Sequence, residues 1–106
     1  MAEAQVVQTG TQATIILGEK FLISDVPKMK GELKRLLEEG VTAVILDCSH
    51  LTLMDSTGIG LLVSAHNSLS KVNGSFSIIQ VSSDIHDLLC SMRLDRHISI
   101  TPMVTG

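Results

Sequence analysis

The sequence has no tryptophan and no tyrosine, and only two phenylalanines, Phe21 and Phe76. That argues against a binding mode in which bases stack on aromatic platforms. Basic residues are outnumbered, with eight Lys and Arg against eleven Asp and Glu, a net charge of −3 and a pI of about 5.7. A phosphate-backbone binder gains from counterion release at a basic patch, and this balance does not favour one. Cysteine is scarce. Cys48 and Cys90 lie far apart and fit a reduced cytosolic protein better than a disulfide scaffold. No run nears the roughly 18 apolar residues of a membrane span. Met1-Ala2-Glu3-Ala4 has neither the basic region nor the apolar core of a secretory signal. The expectation is a soluble, cytoplasmic chain with no direct membrane insertion and no nucleic-acid partner.

What is present suits a packed core. Hydrophobic residues make up 44% and charged residues 18% of 106 residues, enough for one compact domain over 1–106, with an ordered core over about 5–101. Gln5 to Thr9 and Gln12 to Leu17 read as two strands joined tightly at Gly10-Thr11, hence an antiparallel hairpin. Gly18 to Ser24 reads as a loop. Val26, Met29, Leu33, Leu36 and Leu37 recur at helical spacing behind a Ser24 or Asp25 cap, with Pro27 in the first turn and Gly40 as the stop. Val41 to Leu46 is a near-continuous apolar run, the pattern of a strand buried on both faces.

Leu51 to Met54 reads as a short extended piece, and a second helix is expected from near Ser56 to about Val72. A strand over Ser75 to Val81, a helix capped by Ser82-Ser83-Asp84, a loop over Arg93 to His97 and a last strand over Ile98 to Ile100 complete the chain. The alternation predicts an α/β fold. Its sheet is mixed and mostly parallel, with four to five strands, an antiparallel N-terminal strand and three to four helices.

The most unusual segment is Met54-Asp55-Ser56-Thr57-Gly58-Ile59-Gly60. Two glycines at a helix start cost about 1 kcal/mol each in propensity relative to Ala. Close packing of the helix start, or room for a partner or an anion, would offset that. Ser56 falls where a helix N-cap is expected, and capping is its ordinary role. A phosphate there would be favoured by the helix N-terminus and opposed by Asp55. It would change the charge of a surface without unfolding the helix.

Val44-Ile45-Leu46-Asp47-Cys48-Ser49, followed by Leu53-Met54-Asp55-Ser56-Thr57-Gly58-Ile59-Gly60-Leu61-Leu62, resembles the signature of STAS domains. It looks most like the stand-alone bacterial anti-sigma factor antagonists. The ending Met92-Arg93-Leu94-Asp95-Arg96-His97-Ile98 resembles that family's closing helix, loop and strand. The resemblance implies a STAS fold and a protein-binding switch that is not itself an enzyme and carries no cofactor. It implies that the Ser after the Asp of the Asp-Ser-(Ser/Thr)-Gly motif, Ser56, is phosphorylated by a partner that is both anti-sigma factor and Ser/Thr kinase. The unphosphorylated form would bind that kinase, the phosphorylated form would release it, and a Ser/Thr phosphatase would reset the switch. The implied partner surface is Asp55, Ser56, Thr57 and Gly58, with Lys20 and Phe21 from the preceding loop. One departure stands out. The family often reads Gly-x-Leu-Asp after the second strand, and Gly18-Glu19-Lys20-Phe21-Leu22 carries no Asp at the matching place.

Other chemistries have weaker signals. A Ser hydrolase would need a base, and His66 lies ten residues down the helix from Ser56, roughly 15 Å along its axis. No Gly-x-Ser-x-Gly elbow is present. Cys48 and His50 make one Cys-x-His pair without a second, so no metal site is assigned. No nucleotide-loop pattern occurs, which leaves weak anion binding at the helix start. The runner-up is a STAS scaffold or sensor-complex subunit without direct sigma-factor control, since fold does not fix pathway. Weak homodimerisation is left open.

Overall fold

The computed structural model describes residues 4–103. The chain runs β1 (Gln5–Thr9), β2 (Gln12–Ile16), β3 (Lys20–Phe21), a 3-10 turn (Ile23–Asp25), α1 (Val26–Glu38), β4 (Ala43–Asp47) and β5 (Leu53–Met54). It continues through α2 (Ser56–Ser70), β6 (Ser75–Val81), α3 (Ser83–Ser91), a second 3-10 turn (Leu94–Arg96) and β7 (Ser99–Pro102). The main sheet has the order β1-β2-β4-β6-β7. Only β1 is antiparallel, against β2, and β2, β4, β6 and β7 are parallel neighbours. This is the α/β fold expected, with five strands in the main sheet and three α-helices among the described residues.

Each crossover in this order steps one strand along in the same direction. Right-handed connections then put all the helices on one face. The burial pattern agrees. Ala13, Ile15, Val44, Leu46, Phe76 and Ile78 are buried beneath helix residues such as Met29, Leu36, Leu62 and Leu89. Their neighbours Thr14, Ile45, Ser77 and Ile79 point the other way and are only half-buried. The Val41 to Leu46 run, expected to be buried on both faces, is therefore covered on one. Its continuous apolarity arises because Ala43 and Ile45 line the uncovered face.

Local signals account for most of the element ends. Pro27 sits in the first turn of α1, and Gly40 takes φ +89° just past its end, where a side chain would be strained. Arg35 pairs with Glu39 and Glu32, both at 2.8 Å, which uses an acid that the helix dipole disfavours at this end. Ser82 caps α3 by accepting from the Ile85 amide at 3.3 Å. Cys48 is buried where β4 ends, and desolvation, helped by Asp47, pushes its thiol up to about 12. That makes it a packing residue with little thiolate to offer a metal.

Several short features differ from expectation. Gly18 to Ser24, read as a loop, contains β3, which pairs in parallel with β5 through Lys20↔Leu53 and Phe21↔Met54. A two-residue strand has no periodicity to detect. The second helix stops at Ser70, before Val72, because Asn73 enters the left-handed region at φ 57°. The Arg93 to His97 loop holds a 3-10 turn.

Candidate functional site

The small β3/β5 ladder brings the β2–α1 connection against the start of α2. Its geometry turns on Asp55. This residue has extended dihedrals (φ −99°, ψ 176°), and its Oδ1 accepts from the Gly58 amide at 3.0 Å, three residues on. Asp55, not Ser56, is thus the N-cap, which corrects the capping role expected of Ser56. An aspartate reaches the third helical amide as well as a serine does, and it lies one residue earlier, where the chain is still extended. The second carboxylate oxygen, Oδ2, accepts from the Ile23 amide at 3.0 Å. The Asp55 amide in turn donates to the Phe21 carbonyl at 3.4 Å. One side chain therefore caps α2 and ties down a loop thirty-two residues earlier in the chain.

Ser56 is the first helical residue and is exposed, as is Thr57. Their amides precede the first intrahelical bond, so they face the helix N-terminus, where negative charge is favoured. Among the described residues the Ser56 hydroxyl has no hydrogen-bond partner. Lys20 is exposed on β3.

Two of the expected surface residues lie inside. Phe21 is 2% exposed, so its ring belongs to the core and is no contact surface. Gly58 is buried against it: a Cβ there would come within 2.9 Å of Phe21 Cδ2, 3.1 Å of the Phe21 carbonyl oxygen and 3.2 Å of Met54 Cγ. The close approach that Gly58 permits is therefore made within this chain. Gly60, by contrast, has nothing within 4 Å of the position a Cβ would take.

The structure adds residues that the sequence did not single out. Ile23 is 65% exposed and Leu53 is 49% exposed, on the loop and strand flanking the helix start. Nothing in hydrophobic periodicity marks them, because each sits in a segment too short to show a period. Asp25 does not cap α1 through its side chain, as expected of it. Its Oδ2 accepts from the Leu22 amide at 2.9 Å and closes the 3-10 turn instead. Among the described residues no cluster of three metal-ligating side chains occurs, and no helix is long and apolar enough to cross a membrane.

The double role of Asp55 makes a stability prediction. Asp55→Ala removes a cap, about 1 kcal/mol, and frees an exposed amide that water can satisfy, so urea denaturation should show a loss of about 1–2 kcal/mol. Ser56→Ala should change stability by less than about 0.5 kcal/mol, as expected of an exposed residue that caps nothing. The reverse order would restore the cap to Ser56.

Residues 3–105 match the STAS domain family. The chain belongs to it. No curated protein sequence matches this STAS domain. Solved structures do. One is a candidate anti-sigma factor antagonist from Thermotoga maritima, at a TM-score of 0.86 and 19% identity, covering 95% of this chain and 87% of that one. The anti-sigma factor antagonist SpoIIAA in its unphosphorylated form gives 0.76 and 18%, covering 96% and 89%. The Bacillus cell fate determinant SpoIIAA in its phosphorylated form gives 0.76 and 20%, covering 92% and 89%. At these identities the likeness is one of fold.

Proposed function

We propose that this STAS domain is an anti-sigma factor antagonist of the bacterial cytoplasm that works by partner switching at Ser56. The observation that carries the reading is the exposed Ser56 hydroxyl at the first position of α2, inside an Asp55-Ser56-Thr57-Gly58 motif. A kinase can reach that hydroxyl without unfolding the chain. The helix N-terminus favours the added charge of about −1.5 to −2, while the Asp55 carboxylate opposes it. The charge change falls on a surface and so acts on binding. That solved structures of SpoIIAA are described in phosphorylated and unphosphorylated forms supports the same reading.

In this mechanism the unphosphorylated domain binds an anti-sigma Ser/Thr kinase through Asp55, Ser56 and Thr57, with Lys20 alongside. Phe21 and Gly58 support that surface from beneath. The kinase supplies nucleotide and base, transfers phosphate to Ser56 and dissociates. A Ser/Thr phosphatase restores the binding form. Mass spectrometry after incubation with the co-purifying kinase and ATP is expected to place one phosphate on Ser56. Phosphate on Thr57 alone, or on neither, would sink the assignment. The scaffold reading draws on one feature, the absence of an Asp at the family's place after β2, in Gly18-Glu19-Lys20-Phe21-Leu22. It would be preferred if co-purification recovered other STAS proteins and no kinase.

A further inference from the structure

A groove of about 390 Å³ runs between α1 and α2, away from the residues assigned to partner switching. Its apolar lining comes from Leu33 and Leu37 on α1 and from Leu61, Ala65 and Leu69 on α2. Lys30 and Lys34, one turn apart on α1, stand on one wall, and the small side chains of Ser64 and Ser68 form part of the other. Neither lysine has an ion-pair partner among the described residues. Beneath the groove, Leu33, Leu61 and Ala65 also bound a void of about 10 Å³ reaching toward Phe21 and Phe76. That void is lined only by apolar residues, which offer a water no polar side chain to bond.

We propose that this groove binds a linear anionic amphiphile, a free fatty acid of about ten carbons. Both helices return against the parallel strands they connect, so they run in the same direction. Lys30 then lies in the N-terminal half of α1, Lys34 just past its middle, and Glu38 at the C-terminal end of the groove. The two ammonium groups favour a carboxylate at the Lys30 end, and Glu38 repels it from the other. This sets one orientation, with the tail pointing toward Leu37 and Leu69. From Leu61 to Leu69 the groove is ~12 Å long, about the extended length of a ten-carbon chain. Its volume falls within the range of small-molecule sites.

The test is titration of ¹⁵N-labelled protein with sodium decanoate below its micelle concentration, with decanol and decylammonium in parallel. Decanoate is expected to give saturable amide shifts at Leu37, Leu61 and Ala65, decanol weaker ones, and decylammonium the weakest. Lys30→Gln with Lys34→Gln should weaken decanoate about tenfold, the effect of losing two exposed ion pairs, and leave decanol unchanged. Ser64→Phe, at an exposed wall position, should block the groove without disturbing the core. Absence of saturable shifts, shifts centred outside the groove, or equal decanoate affinity in the Ser64→Phe protein would overturn the proposal. So would an acidic amphipathic peptide that binds these residues where decanoate does not.

Discussion

Ser56→Asp is expected to weaken binding to the partner kinase by at least about tenfold, while Ser56→Ala stays within about twofold of the unsubstituted protein. Tenfold corresponds to about 1.4 kcal/mol, a modest demand for a charge placed where a partner must desolvate it. The environment makes the charge hard to hide. Asp55 already holds one carboxylate at this point, and both its oxygens are engaged, with Gly58 and with Ile23. It cannot swing aside to relieve a second anion next to it. The fold is not at risk, because the first turn of a helix tolerates negative charge and Ser56 makes no contact that the substitution would break. The two variants should therefore melt within a few degrees of each other and differ in affinity. Calorimetric titration against the kinase checks both halves. Equal affinities would leave the charge switch without support, and a large drop for Ser56→Ala would make the hydroxyl itself the recognised group.

Ile23 and Leu53 place the proposed switch in a setting that phosphate alone would not define. They are the large exposed apolar side chains nearest in sequence to the elements around Ser56, at 65% and 49% exposure. Ile23 is held to the helix start by the same carboxylate that caps it. A partner that covers Ser56 can therefore gain apolar burial from the flanking loop and strand, at about 25 cal/mol per Å² removed from water. Under the proposed function, affinity and control would then come from different side chains on one small surface.

The elements with a repeating pattern were legible in the sequence, and those without one were not. The α1 stripe of Val26, Met29, Leu33, Leu36 and Leu37 shows a full helical period, and these residues are buried or half-buried. The hairpin could be read from its tight Gly10 connection, and Gly10 takes φ +60°. The β3/β5 ladder could not be read, because two residues per strand give no alternation and their pairing spans more than thirty positions. That omission propagated to the site. Without β3 there was no reason to bury Phe21 or to bring Ile23 to Asp55. The sequence alone does not separate Asp55 from Ser56 as the cap: Asp and Ser cap equally well, and only the dihedral angles show where the helix begins. The two motif glycines look alike in the sequence but differ in kind. Gly58 faces Phe21 and Met54, and Gly60 faces open space.

That difference supports a prediction on the fold itself. Gly58→Val is expected to destabilise the domain by about 2–3 kcal/mol, within the usual range for overpacking a well-filled core. The Cβ alone would meet the Phe21 ring at 2.9 Å and the Phe21 carbonyl oxygen at 3.1 Å. The ring atom can move by a small rotation, but the carbonyl is held, since it accepts from the Asp55 amide at 3.4 Å within the β3/β5 junction. Relief requires β3 to shift from the start of α2, which strains the Asp55–Ile23 bond and moves the surface around Ser56. Stability and partner affinity should therefore fall together. Gly60→Val is the control: its space is open and valine has the better helix propensity, so it should be neutral or slightly stabilising. Urea midpoints at constant slope separate the two, and for a chain of this size the Gly58→Val loss should lower the melting temperature by about 10 °C or more. If Gly58→Val matched Gly60→Val in stability yet still lost the partner, the close approach at Gly58 would belong to the partner and not to Phe21.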